Sequence, residues 1–184
     1  MIERASLITG NEGKAAEYAT LLGIDVRAVK EDLIEIQSLD VVAVVERKVA
    51  DAYAKLGVPV LVDDTGLAVN AWNGLPGALV AWFLGSVGTQ GILDMAAGLT
   101  DRAATVTTAL GYADANGIRI FTGTVQGTLA TERRGTNGFS YDEIFVPAGG
   151  DLTFAEMPTE QKNLVSHRRL AVDALRAEFG LTGS

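Results

Sequence analysis

Hydrophobic and polar positions change period several times along the chain. Residues 5–9 read as a short buried strand, and Gly10 to Gly13 as a tight loop. Ala15, Tyr18, Ala19 and Leu22 then recur at helical spacing, which predicts a helix over 14–22. Strand character returns at 24–29. Asp40 is placed to cap a second helix over 41–56, which Gly57 and Pro59 stop. Val60 to Val62 reads as a strand and Leu67 to Val69 as another, with a turn string between them. Pro76-Gly77 marks a turn, 79–84 starts a helix, and 90–97 is weakly helical. Two long β-branched runs, 103–113 and 118–131, flank Asn116-Gly117, a hairpin signal. A last helix is expected from Ser166 to Phe179, with Leu170, Ala171, Ala174, Leu175 and Ala177 among charges. Early alternation of helix and strand, followed by long antiparallel strands, predicts an α/β fold with a mixed central β-sheet flanked by helices. Ligands are expected at loops that follow strands.

Composition narrows this picture. A chain of 184 residues with 48% hydrophobic positions suits one domain, 1–184, without linker, repeat or low-complexity tract. No apolar run is long enough for a membrane span, and the start lacks the pattern of a secretory signal, so a cytoplasmic protein is expected. With no cysteine and a single histidine, His167, a thiolate or histidine-rich metal site is excluded. Any metal must be held by oxygens, which points to Mg²⁺ or Mn²⁺. A net charge of −8 argues against wrapping a nucleic-acid backbone. An anionic ligand must therefore be small and met by local positive charge.

Four polar strings carry the candidate chemistry. In Pro59 to Leu67, strand residues run into Asp63 and Asp64 and then a Thr65-Gly66 turn. Paired acids at a strand end suit a hard divalent cation, although Asp and Gly are also ordinary turn residues. Thr9-Gly10-Asn11-Glu12-Gly13-Lys14 lies between strand and helix, where backbone N–H groups, the helix terminus and Lys14 can cradle phosphate. It lacks Walker A spacing, and a plain loop with a surface lysine reads equally from the string alone. Asn137-Gly138-Phe139-Ser140-Tyr141-Asp142 offers an aromatic that can stack on a base and an acid that can accept from its edge; a core Phe in a turn is the plainer alternative. Lys162-Asn163-Leu164-Val165-Ser166-His167-Arg168 gathers cations at the start of the last helix. Glu35, an acid among apolar neighbours, is a third carboxylate candidate, or the outer face of an edge strand. Lys48 on the second helix is either functional or a solvated charge.

Taken together and in order, these strings resemble the inosine triphosphate pyrophosphatase family, whose pattern is T-G-N-x-x-K, D-D-[ST]-G-L, G-F-G-[YW]-D and K-N-x-[VI]-S-H-R. Thr153-Phe154-Ala155-Glu156-Met157 also matches that family's T-[FY]-A-E-M. The resemblance covers about residues 5–180. It implies two lobes around an active-site cleft, a homodimer, and Mg²⁺-dependent hydrolysis of ITP, dITP and XTP to monophosphate and pyrophosphate. Asp64 would be catalytic and would bind metal with Glu35, with Asp63 beside it as a further metal position. Thr9, Gly10, Asn11, Glu12, Gly13, Lys14, Lys48 and Thr65 would hold phosphates. Phe139, Ser140, Tyr141, Asp142, Lys162, His167 and Arg168 would hold the base.

The chain departs from the family pattern at Ser140 and Glu143, where Gly and Pro are usual, and mildly at Thr65. Ala81 stands where animal-type members carry a lysine, and Arg133 or Arg134 is a candidate replacement for that charge. A 6-oxo purine offers an acceptor at O6 and a donor at N1. His167 and Arg168 can donate and Asp142 can accept, whereas adenine reverses the pattern. The rival readings are a Maf-type pyrophosphatase for other nucleotides, which would not carry Ser166-His167-Arg168, and a non-catalytic nucleotide-binding protein.

Overall fold

The computed structural model describes residues 4–10 and 12–181. Asn11, expected in the phosphate loop, lies outside the described residues, and so do the side chains of Glu12 and Gly13.

Seven strands form one sheet in the order β2-β1-β3-β5-β6-β7, with β4 added beside β3. β1 (Arg4–Ile8), β2 (Asp25–Val29) and the start of β3 (Val60–Val69) run parallel. From β3 onward the pairing is antiparallel through β5 (Ala103–Asp114), β6 (Gly117–Leu129) and β7 (Phe145–Pro147). β4 is the short Pro76–Gly77. The mixed sheet follows from the connections: α1 (Glu12–Leu22) and α2 (Val41–Leu56) cross between parallel strands, while a tight turn at Ala115-Asn116 joins the two longest strands, with Gly117 already paired to Asp114.

Alternation along β3 sorts its residues between two faces. Leu61 packs with Leu7, Tyr18, Leu110, Ala171 and Leu175, under α1 and α5 (His167–Phe179). Val60 and Val62 pack with Val49 and Ala52 of α2 on the other face. Farther along, Leu67 and Val69 join Val106, Leu129, Phe145, Phe154 and the residues Ile92 and Leu93 of α3 (Val80–Met95) in a separate core. β3, β5 and β6 therefore run through both lobes, and the middle of β3 lies where the lobes meet.

Here the structure corrects the sequence reading. Val60–Val62 and Leu67–Val69 belong to one unbroken strand, and Asp63-Asp64-Thr65-Gly66 is mid-strand, paired to Leu110, Ala109, Thr108 and Thr107. Partners distant in sequence neutralise both acids, so the ladder continues where local residue preference indicates a turn. Gly66 supplies close approach instead: a Cβ there would come within 2.9 Å of a Val41 methyl and 3.0 Å of the Gly77 carbonyl carbon.

The two helical stretches expected over 79–84 and 90–97 form one element, α3 (Val80–Met95), broken at Gly88 by φ 67° and ψ −178°. Glu35 lies on an irregular connection and not on a strand. α4 (Thr159–Val165) and β7 were not expected; each has fewer than eight residues, too few for a periodic signal. α2 is as predicted. The Asp40 carboxylate accepts from the Val42 N–H at 2.8 Å, and Gly57 closes the helix with φ 63°.

Candidate active site

Successive strand residues face opposite sides, so Asp63 and Asp64 are not brought to one point. Asp63 is buried beneath α1. Lys14 Nζ lies 2.6 Å from one of its oxygens, and the Tyr18 hydroxyl donates to the other at 3.0 Å. Lys14 and Tyr18 are one helical turn apart on α1, so a single helix delivers both. Burial opposes ionisation of Asp63, but the charges of Lys14 and Arg168 prevail, and its pKa is lowered.

Asp64 points toward α2. Lys48 Nζ lies 3.4 Å from its carboxylate and 3.3 Å from that of Glu35, so one ammonium sits between the two acids. Burial raises the pKa of Asp64 against the pull of Lys48. Burial works against the Lys48 charge, but Asp64 and Glu35 outweigh it, and the lysine pKa is raised. Asp64, Glu35, Ser38, Ala81, Trp82 and Ser86 line a cleft of about 580 Å³. Among the described residues, no three or more His, Cys, Asp or Glu side chains converge as a metal site.

Thr65, next to Asp64, opens onto a second pocket, shared with Phe139, Asp142, Lys162, His167 and Arg168. Ser166 builds one wall. Its hydroxyl accepts from the Arg169 N–H at 3.2 Å and caps α5, which fixes His167 and Arg168 in the first turn. Arg168 is buried, donates to Glu17 at 3.1 and 3.2 Å, and lies 5.2 Å from the Phe139 ring centre. Lys162 pairs with Asp142 at 2.5 Å and lies 5.0 Å from the same ring. Asp142 also accepts from the Phe139 N–H at 2.8 Å, which pins the loop. Gly138 permits this closure, since a Cβ there would fall 2.1 Å from the Asp142 carboxylate.

His167 is buried, stacks on Phe154 with ring centres 5.9 Å apart, and shares a 3.1 Å hydrogen bond with the Tyr141 hydroxyl through Nε2. Burial, then the charges of Arg168 and Lys162, lower its pKa to about 3, so the ring is neutral. Among the described residues, its Nδ1 and the Arg168 Nε have no hydrogen-bond partner.

A pH prediction follows from the same histidine. In the unfolded chain the ring titrates near 6.5 and below that binds a proton the folded ring refuses. Its contribution to stability is present above pH 6.5 and is lost as pH falls toward 3. Between pH 7 and pH 5 the loss is about 2 kcal/mol. Urea unfolding at both pH values should show this difference, and His167→Gln should remove that part of it.

The departures at 140 and 143 have definite structural settings. Ser140 is exposed and held at φ 62°, a left-handed conformation that suits glycine. Ser140→Gly should raise stability by about 0.5–1 kcal/mol, the relief of strain less the added chain entropy. A thermal melt should show a gain of about 2–3 °C; a lower Tm would rule out strain there. Glu143 accepts from Arg133 at 2.8 Å and from the Thr89 hydroxyl of α3. Arg134 donates to the Asp151 carbonyl and lies 3.7 Å from Glu156. Both guanidinium groups named as stand-ins for a cation at position 81 are thus engaged with other partners.

The motifs therefore assemble as two adjoining clusters across β3. A profile of the Ham1 family matches residues 5–178. The chain belongs to the Ham1 family. It is 40% identical over 172 residues to a dITP/XTP pyrophosphatase of Thermococcus kodakarensis, covering 92% of this chain and 93% of that protein. It is 39% identical over 169 residues to the Methanopyrus kandleri protein of the same name, with 90% of each covered. Among solved structures, the Staphylococcus aureus Ham1 protein superposes with a TM-score of 0.86 at 29% identity, covering 96% of this chain and 98% of that one.

Within this Ham1 member, sequence reasoning missed Tyr18 and Glu17, the partners of Asp63 and Arg168. Both lie within a turn of Lys14 on α1, and a tyrosine on a buried helix face close to a charged motif was the available signal. Trp82, Ser38 and Ser86 at the cleft were also missed; isolated residues of these types carry no pattern.

Proposed function

We propose that this chain hydrolyses non-canonical purine nucleoside triphosphates (ITP, dITP and XTP) to the monophosphate and pyrophosphate. The observation that carries this reading is the adjacency at β3: Asp64 lines the acidic cleft, and Thr65 lines a pocket with His167 and Arg168, whose Nδ1 and Nε have no partner among the described residues. A nucleotide with its base in the pocket lays its phosphates toward the cleft. The names of the relatives support the same substrates.

The residues present fit a bound Mg²⁺, with Mn²⁺ as the alternative. Glu35 and Asp64 already hold a positive group between them, and Mg²⁺ is typically held by one or two carboxylates with substrate phosphates completing its shell. Asp63 faces the other side of the sheet, under Lys14. When bound, the ion would neutralise phosphate charge and make an attacking water more acidic. Asp64, on the wall of the cleft, would orient that water. Lys48 keeps its charge and can shift to phosphate oxygens, while a phosphate role for Lys14, paired with Asp63, rests on the family likeness. The pocket holds only about 10 Å³ with Phe139 over Lys162 and Arg168, so a base enters by lifting that ring and stacking against it. Homodimerisation rests on the family likeness; no helix among the described residues is long and apolar enough to cross a membrane.

A panel of nucleoside triphosphates with Mg²⁺, followed separately for pyrophosphate and orthophosphate, tests this reading. Pyrophosphate from ITP, dITP and XTP is expected. A preference for pyrimidine nucleotides would favour the Maf-type alternative, and no turnover of any substrate would favour a binding protein.

A further inference from the structure

We infer that Gly123, on β6 and outside both clusters, is a positioning residue for base recognition and acts through the first turn of α5. Phe121, Gly123 and Val125 share one face of β6. Phe121 packs against Phe179 near the far end of α5, with ring centres 6.1 Å apart, and Val125 packs into the core of the other lobe. Between these two side chains the bare backbone of Gly123 leaves a notch, and α5 sits in it. A Cβ on Gly123 would lie 2.0 Å from the His167 carbonyl oxygen, 2.4 Å from the Ala171 N and 2.7 Å from the Leu170 Cβ. Two of these are helix backbone atoms, so no rotamer change relieves the overlap.

Gly123 has no positive φ that would require glycine. Its freedom from a side chain serves the approach of the helix. The row across the sheet shows the same progression: Thr65 pairs with Thr108, and Thr108 with Gly123. Thr65 lines the pocket, and Thr108 is fully buried beneath it. The helix terminus is thus seated one strand row from the pocket, with His167 and Arg168 projecting from the turn that rests on the notch. Raising that turn moves both donors relative to Asp142 and Thr65, which lie on other elements. Asp64, Glu35 and Lys48 on the opposite face keep their places. The consequence is specific: the chemistry common to all triphosphates survives, and discrimination between bases is lost.

This inference rests on the proposed function, and the experiment separates the two. kcat and KM are measured for ITP and for ATP with wild type, Gly123→Ala and Gly111→Ala. Gly111 is the control: its added methyl would meet Val45 and Val49 of α2 on the opposite face. Ala171→Val, which enlarges the helix side of the same seam, is the second variant and decides the matter if Gly123→Ala does not fold. The expected result is a fall of at least about tenfold in the ITP to ATP ratio of kcat/KM for Gly123→Ala and Ala171→Val, carried mainly by a higher KM for ITP. Gly111→Ala should keep the wild-type ratio, whatever it does to overall rate. Equal losses on both substrates, or an unchanged ratio in the folded seam variants, would overturn the inference alone. A wild-type enzyme that does not distinguish ITP from ATP would overturn the parent reading and this inference with it.

Discussion

Asp64→Asn should lower kcat by at least about 100-fold, within the 10²–10⁴ range for a group that positions or accepts a proton in the reaction. The fold should survive. Burial already disfavours the charged form of Asp64, so a neutral isostere costs little there. Lys48 retains Glu35 as a partner. Asp63→Asn behaves differently: it leaves Lys14 and Arg168 facing a buried site stripped of its charge, and its loss should appear in stability as well as rate. Steady-state kinetics paired with thermal melts distinguish these cases. If Asp64→Asn kept more than about a tenth of wild-type kcat, Asp64 would not be the group that handles the water.

ITP should be preferred over ATP by about 10⁴ in kcat/KM, the scale seen when the wrong substrate leaves buried polar groups unpaired. Burial keeps the Tyr141 hydroxyl protonated and able to donate to His167 Nε2. In that tautomer Nδ1 carries the ring proton and is a donor with no partner among the described residues. The Arg168 Nε is a second donor in the same wall. A 6-oxo purine would satisfy these donors through O6 and would give its N1–H to Asp142, whose carboxylate has acceptor capacity beyond Lys162 and the Phe139 N–H. Adenine brings an amino group to the donors and a lone pair to the carboxylate. Comparable kcat/KM values for ATP and ITP would contradict this arrangement.

The parts of the fold that were legible in the sequence are those with local causes. Asp40 and Gly57 bound α2 because capping is decided within a few residues, and the hairpin expected from Asn116-Gly117 forms for the same reason, with its two-residue loop one position earlier at Ala115-Asn116. The illegible parts depend on distant partners. Asp63 and Asp64 read as a turn because nothing nearby shows that Lys14, Tyr18 and Lys48 will neutralise them in mid-strand. Once the strand is taken as continuous, strict alternation alone puts the two acids on opposite faces. Residues of three strings line the pocket and cleft: Asp64 and Thr65 from the middle of β3, Phe139 and Asp142 from the loop before β7, and Lys162, His167 and Arg168 from α4 and α5. Gly123 sits in a β-branched run with no motif around it, and its meaning exists only where α5 rests on it.

The central claim is that water attacks the α-phosphorus of a non-canonical purine triphosphate at the Asp64 cleft. Its most direct test is hydrolysis of ITP with Mg²⁺ in ¹⁸O-labelled water, with both products analysed by mass. One labelled oxygen in the inosine monophosphate and unlabelled pyrophosphate are expected. Label in the pyrophosphate, or release of orthophosphate and inosine diphosphate, would contradict it.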